Sequence, residues 1–369
     1  MSRTKIPVLI VTGFLGSGKT TLLNRLLSQP SMAGTLAIIN EFGEVGLDHL
    51  LLEVTEERMA LLENGCICCT VRDDLVQTLL DVDNRRLAGA LHVDRVIIET
   101  TGLADPAPIL HALMADDRLE ATYDIETVVT LVDAVSGAAS LTSFQEARKQ
   151  LAYADQVILT KGDIASAAEH DEARNAITAG NPSARVREVS AGEISADLLL
   201  QGAFSRRAQD AEALAEWSSE VERLIARAIK PGGGHERHTC DAHCDHVHTD
   251  VSTYAFTFEQ PVDWRLFCEW LDNLAALKGP DLLRLKGIVH IAQDRERPMV
   301  IHCVQHVFNR PRQLEAWPSS DRRTRLVFIV KNIDREVIER TLVKFVALDP
   351  GQMTGVHLRS MHAHERQFN

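Results

Sequence analysis

Apolar and polar positions follow two different regimes along this chain. In the first half, short apolar runs with polar ends recur: "PVLIVTG" (7–13), "TLAIIN" (35–40), "RVIIET" (95–100), "TVVTLVD" (127–133), "QVILTKGD" (156–163) and "ARVREVSA" (184–191). Runs apolar on both faces read as buried parallel strands. Between the first two, leucines at 22, 23, 26 and 27 of "KTTLLNRLLSQ" (19–29) share one helical face. Further helical stretches are expected at 72–88, 105–115, 143–153 and 165–180. Strands alternating with helices predict an α/β fold, a parallel sheet with helices on both faces.

The regime changes at "KPGGGHERHTCDAHCDHVHTD" (230–250), where Pro and three Gly open a linker. Beyond it, "STYAFTFEQPVD" (252–263) alternates like a half-buried strand. "DWRLFCEWLDNLAAL" (263–277) is patterned as an amphipathic helix. "KGIVHI" (286–291), "MVIHCVQHVF" (299–308) and "RLVFIV" (325–330) follow as strands, and "DREVIERTLVKF" (334–345) as a helix opened by an Asp cap. The expected division is a first domain over 1–230, a His/Cys-rich linker over 231–250, a smaller α+β domain over 251–350 and a tail over 351–369, poorly ordered in "HLRSMHAHERQFN" (357–369). No internal repeat is present.

Composition changes this picture little: 45% of the 369 residues are hydrophobic and 25% charged, enough for a large core. The formal net charge of −13 argues against a broad nucleic-acid or anionic-membrane surface. The basic start and the apolar run Ile6–Val11 are too short for a secretory signal. No stretch approaches the roughly 18 apolar residues of a membrane span. A cytoplasmic location with reduced thiols is the expectation.

"GFLGSGKT" (13–20) matches G-x-x-x-x-G-K-[ST] in full, after a strand and opening a helix, the context a phosphate-binding loop requires. Gly13, Gly16, Ser17, Gly18 and Thr21 belong to the loop and first helical turn. There, backbone N–H groups and the helix terminus favour phosphate. Lys19 reaches the β/γ-phosphates and Thr20 ligates Mg²⁺ in this reading. "LTKGD" (159–163) is similar to the guanine-reading N-K-x-D motif. Asp163 accepts from N1–H and the N2 amino group of guanine, Lys161 covers the base with its stem, and Thr160 stands where Asn is usual. Glu99 of "IIETTG" ends a strand, where a Mg²⁺-linked or water-positioning carboxylate belongs, and Gly102 lets a loop approach the γ-phosphate. GTP or GDP with Mg²⁺ is thus the expected ligand, and no arginine finger is evident.

"ENGCICCTVRDDL" (63–75) holds three of the seven cysteines, Cys66, Cys68 and Cys69. On an extended segment Cys66 and Cys68 share a face, and Cys69 joins them where the chain turns. Three thiolates suit Zn²⁺, Cu(I) or an iron–sulfur cluster and leave a position open. Buried structural or redox-active cysteines are the alternative. The acidic loop "NEFGEVGLD" (40–48) carries Glu41, Glu44 and Asp48, placed to touch Mg²⁺ or to add a ligand to the thiolates. Glu44 is the one assigned to the transferred metal. Residues 235–248 hold five His and two Cys in fourteen positions. Of these His238, Cys240, His243, Cys244, His246 and His248 form an auxiliary set for collecting cations, with a polar spacer as the plain alternative. His302 and His306 fall on one face of a predicted strand and read as satisfied sheet histidines.

Taken in order, "TGFLGSGKTTLLNRLL", "NEFGEVGLD", "ENGCICCTVRDDL", "IIETTGLADPAPI", "LVDAV" and "LTKGD" resemble the CobW-type P-loop metal-chaperone GTPases. This group is related to GTPases that deliver nickel to urease and hydrogenase. "LLRLKGIVHI" and "RLVFIV" continue the resemblance, so it covers nearly all of 6–347. It implies a P-loop GTPase domain and a CobW-type C-terminal domain. It also implies Zn²⁺ (Co²⁺ in some branches) at Cys66, Cys68 and Cys69, coupling through 70–73, and delivery to a metal-requiring client protein. Thr160 is a familiar variant in that family. A nucleotide-regulated redox or metal sensor and an ATP-dependent kinase are the competing readings, and an oligomer is compatible with all three.

Overall fold

A computed structural model describes residues 5–39, 59–61, 69–189, 194–199, 211–229 and 251–358. The chain forms two compact units. The first takes in 1–174, 184–214 and 307–309, the second 175–183, 215–306 and 310–369.

The first unit's strands are β1 (Ile6–Gly13), β2 (Thr35–Ile39), β3 (Met59–Leu61), β4 (Arg95–Glu99), β5 (Tyr123–Asp133), β6 (Gln156–Thr160) and β7 (Arg185–Glu188). They lie in the order β3-β2-β4-β1-β5-β6-β7, every pair parallel. All eight residues of β1 and all five of β2, β4 and β6 are buried, which is why these strands are apolar on both faces between their polar ends. The connections carry α1 (Lys19–Leu27), α2 (Cys69–Leu87), α3 (Ala107–Ala115), α4 (Asp117–Thr122), α5 (Gly137–Ser143), α6 (Gln145–Tyr153), α7 (Ala167–Gly180) and α8 (Ala196–Leu199). The order moves one way from β1 to β2 and the other way from β3 through β7. Right-handed crossovers therefore put α1 on one face and α2, α3, α6 and α7 on the other. On the α1 face, Leu22, Leu23, Leu26 and Leu27 join Leu9, Val11, Ala37, Ile97, Val129 and Leu199 in one core. The connection leaving β1 runs to the opposite face from those leaving its neighbours β4 and β5, so the C-terminal end of β1 is a topological switch point, where open α/β sheets bind ligands.

After α9 (Ala211–Ile229) come β8 (Val251–Phe258), α10 (Trp264–Lys278), β9 (Leu282–Ile291), β10 (Asp294–Val304), β11 (Val307–Phe308), β12 (Arg312–Gln313), β13 (Thr324–Lys331), α11 (Arg335–Val346) and β14 (Met353–His357). The sheet order is β11-β10-β9-β13-β8-β14, with β12 beside β10. Without the β10 hairpin this is a split β-α-β arrangement. Phe256 and Phe328 meet edge-to-face at 5.7 Å, and Trp270 of α10 packs on Phe328. The Trp270 indole N–H donates to Thr341 of α11 at 3.0 Å, tying the two helices together.

The structure departs from the sequence pattern at several points. Residues 353–357, placed by the pattern in a tail, pair antiparallel with β8. α9, placed by the pattern in the first domain, groups with the second unit from Ala215 on. Its Glu222 accepts from Arg323 and, at 2.8 Å, from the buried Arg325. β8 is not half-exposed: its polar Thr253 and Thr257 are buried. Asp334 stands at the N-cap of α11 but makes no capping bond, whereas Asp263 caps α10 by accepting from Leu266 N–H. His302 is buried in β10, but His306 lies in the turn beyond that strand, so the two do not share a strand face.

Candidate functional site

The C-terminal ends of β4, β1, β5 and β6 gather the predicted residues. Val11 is in register with Glu99 on one side and Val129 on the other, and Gly13 with Leu131. Asp133 is in register with Thr160. The chain leaves β1 through Gly13 at φ +148°, and a Cβ there would sit 2.5 Å from the Leu131 carbonyl oxygen. Only glycine fits this approach. Gly16 is exposed at the turn, and Ser17 N–H closes it onto the Phe14 carbonyl at 3.2 Å. Gly18, at φ +94°, is the N-cap of α1, and no side chain caps that terminus. The first-turn amides of α1 thus face outward at the positive end of its dipole. Lys19 Nζ donates to the carbonyls of Gly13 at 2.9 Å and Phe14 at 3.3 Å, placing an ammonium over the loop. Ser17 Oγ is buried and has no hydrogen-bond partner among the described residues. Thr20 is half-buried in the first turn of α1, and Thr21 is exposed.

Glu99 ends β4 buried beside Val11. The next residue is anchored twice: Thr100 N–H donates to the Val11 carbonyl at 2.9 Å, and its hydroxyl to Thr12 Oγ1 at 2.7 Å. Hydroxyl and carboxylate oxygens are the donors a hard divalent cation takes. Thr20, in the first turn of α1, and Glu99, at the end of β4, carry oxygens of that kind.

On the base side, Thr160 is buried, and its hydroxyl donates to the Ser17 carbonyl at 2.8 Å. Its part is to join the two loops, a role the Asn-like reading of this position does not reveal. Lys161 adopts φ +59°, a left-handed conformation rare for a residue with a side chain, and its Nζ lies 3.5 Å from Asp133. Asp133 is buried and also accepts from Ser136 N–H at 2.6 Å and Ser136 Oγ at 2.7 Å. The sequence reading assigns Asp133 no role. Its signal is the "LVDAV" strand end, one strand over from "LTKGD". Asp163 is exposed, as are Gly162 and Ile164 on either side of it. Phe14 stacks on Phe144 at 4.6 Å beside the loop.

Among the described residues no group of three or more His, Cys, Asp or Glu is arranged to hold a metal. Glu41, Glu44, Asp48, Cys66 and Cys68 lie outside the described residues, as do His238, Cys240, His243, Cys244, His246 and His248. Of the cysteine motif only the backbone of Cys69 is described, as the first residue of α2. No helix among the described residues is long and apolar enough to cross a membrane.

The family described as CobW/HypB/UreG, nucleotide-binding domain, matches residues 7–188, and the cobalamin synthesis protein cobW C-terminal domain matches 251–346. A zinc chaperone of Escherichia coli K12, YjiA, is 31% identical over 90% of this chain and 96% of its own. A zinc chaperone CobW of a Sinorhizobium species is 30% identical over 93% and 98%. A zinc-regulated GTPase metalloprotein activator of Schizosaccharomyces pombe is 29% identical over 90% and 81%. The crystal structure of Zn(II)-bound YjiA GTPase superimposes with a TM-score of 0.64 at 25% identity, covering 93% of this chain and 99% of that one.

Proposed function

From the premise that the chain belongs to the CobW/HypB/UreG family, we propose that this GTPase is a zinc chaperone whose cysteine motif binds the ion under nucleotide control. GTP lies with its phosphates on Gly13–Thr20, Lys19 neutralising the β/γ oxygens. Asp163 reads the guanine, and Lys161, steered by Asp133, covers the base. Thr20 and Glu99 hold magnesium, which when bound supplies charge neutralisation on the phosphate oxygens. Zinc is the cargo, taken by Cys66, Cys68 and Cys69 with Glu44 as a further ligand. The segment 235–248 collects ions for that site, and a metal-requiring client receives them.

The observation carrying this reading is where the two metal-side segments leave the sheet. Ile39, the last residue of β2, is in register with Glu99, which is itself in register with Val11. β2 therefore ends beside β4, two strands from β1, and α2 begins at Cys69. A phosphate-dependent shift at Glu99 bears directly on Ile39, the residue before the 40–48 stretch. The linkage is reciprocal: if GTP tightens zinc binding, zinc tightens GTP binding equally.

Zinc titration of the full chain with GDP or a non-hydrolysable GTP analogue bound tests this. Different affinities are expected, together with loss of the high-affinity zinc when Cys66, Cys68 and Cys69 are replaced by Ser. Equal affinities in the two nucleotide states refute the coupling. Reversible thiol oxidation with metal-independent turnover favours a redox sensor instead.

A further inference from the structure

Gln150 of α6 has no exposed surface, yet it takes no part in the proposed chemistry. Its side-chain amide donates to two carbonyls of the segment that follows Glu99, Gly102 at 3.1 Å and Ala104 at 3.0 Å. Its backbone carbonyl accepts from Thr130 Oγ1 of β5 at 2.8 Å, so the helix is pinned to the sheet at this residue. The neighbouring Lys149 pairs with Asp105 at 2.8 Å. The held segment touches the phosphate loop: a Cβ on Gly102 would fall 2.5 Å from Leu15 Cδ2 and 2.9 Å from Leu15 Cα. A continuous chain of contacts thus runs from β5 through Gln150 and residues 102–104 to the apex of the loop. Among the described residues Gln150 Oε1 is buried without a hydrogen-bond partner, as is Ser17 Oγ, and both residues line one small cleft behind the loop. The buried Gly102 carbonyl and the part-buried Ala104 carbonyl take two donors from one neutral side chain of this length. Among residues of this size glutamine alone supplies them.

We propose that Gln150 is a positioning residue for GTP hydrolysis, holding the segment after Glu99 against the phosphate loop. The proposal rests on the reading of that loop as a GTP site. Phosphoryl transfer depends on positioning more than on covalent help from the protein. Loosening this segment therefore slows hydrolysis more than it weakens nucleotide binding.

The test uses the full chain with Gln150→Met and Gln150→Glu. The readouts are GDP affinity, melting temperature and single-turnover GTP hydrolysis from roughly pH 5.5 to 8.5. Gln150→Met, which keeps the volume and removes both donors, is expected to slow hydrolysis about tenfold with GDP affinity held within about threefold. Gln150→Glu is expected to be as slow at high pH, where a carboxylate faces two carbonyls, and to recover as pH falls and the protonated acid donates to one of them. Neither wild type nor the Met variant has that acid-side recovery. A Met variant at the wild-type rate overturns the proposal. So does a loss shared equally by hydrolysis, GDP affinity and melting temperature with a flat Glu profile. If the Met variant does not fold, Lys149→Met loosens the same segment from its more exposed side, with an expected two- to fivefold loss, about what an exposed pair contributes. An unchanged rate there overturns the proposal as well. A wild-type chain that fails to bind GTP instead refutes the underlying reading, before any variant is compared.

Discussion

Thr160→Val isolates the bond that joins the base side of the site to its phosphate side. Valine keeps the β-branched shape that β6 favours and removes only the hydroxyl. Thr160 Oγ1 donates to the Ser17 carbonyl at 2.8 Å, and both residues are buried, at 5% and 2% exposure. Leaving a buried carbonyl unsatisfied costs about 1–3 kcal/mol. If that cost falls on the binding-competent loop, affinity drops by about five- to 150-fold at roughly 1.4 kcal/mol per decade. The bond lies between the base loop and Ser17, away from the side where Gly102 meets Leu15. GDP and GTP are therefore expected to weaken by the same factor. Fluorescent GDP and GTP analogues titrated into wild type, Thr160→Val and Thr160→Ser measure it, with the Ser variant, which keeps the hydroxyl, close to wild type. Unchanged affinity for both nucleotides, or a loss confined to GTP, refutes the reasoning.

Asp163→Asn offers guanine one acceptor and one donor in place of two acceptors; GTP affinity is expected to fall while xanthosine triphosphate gains, read by competition binding. Glu222→Ala leaves Arg325 buried with only part of its compensation, an expected loss of about 2–4 kcal/mol in urea unfolding followed by a probe in the second unit. Burial, with Arg295 and Arg322 nearby, holds the His290 imidazole below its ordinary range against the opposing Glu259 carbonyl and Glu296. The folded state thus binds this proton less readily than the unfolded one. The stability tied to neutral His290 is present above the unfolded value of about 6.5 and is lost as pH falls below it. His290→Leu is expected to flatten that acid-side decline in the urea midpoint.

Where both faces of an element are buried, composition alone declares it. β1, β2, β4 and β6 are apolar on both faces through their middles, and those residues are the ones that pack. β3 and β14 escape such reading for a physical reason. β3 is three residues long, and β14 carries one buried residue in "MTGVH", Val356, so each is specified by the strand it pairs with rather than by its own pattern. His306 shows the same limit. Alternation carries a strand through Val304, but Gln305 turns left-handed at φ +53° and ends it. In the site, the phosphate loop is legible because backbone geometry demands glycine at fixed spacing. Asp133 and Gln150 are not, because each acts on a loop brought to it by the sheet order, a relation that sequence distance hides. The missing bond at Asp334 has a similar lesson: residue type permits a cap, and local backbone placement decides whether it forms.

α2 begins at Cys69 and is fastened further along, where Tyr123 Oη donates to the Leu79 carbonyl at 2.7 Å and Thr122 Oγ1 to Asp83 at 3.4 Å. From Cys69 to Leu79 a helix climbs about 15 Å, and each residue turns it by about 100°. The stretch between is therefore a fixed-length shaft and not a tether. One inserted residue would leave the fastening intact and swing the cysteine end about a quarter-turn around the axis, so the count of residues there is constrained as tightly as their identity.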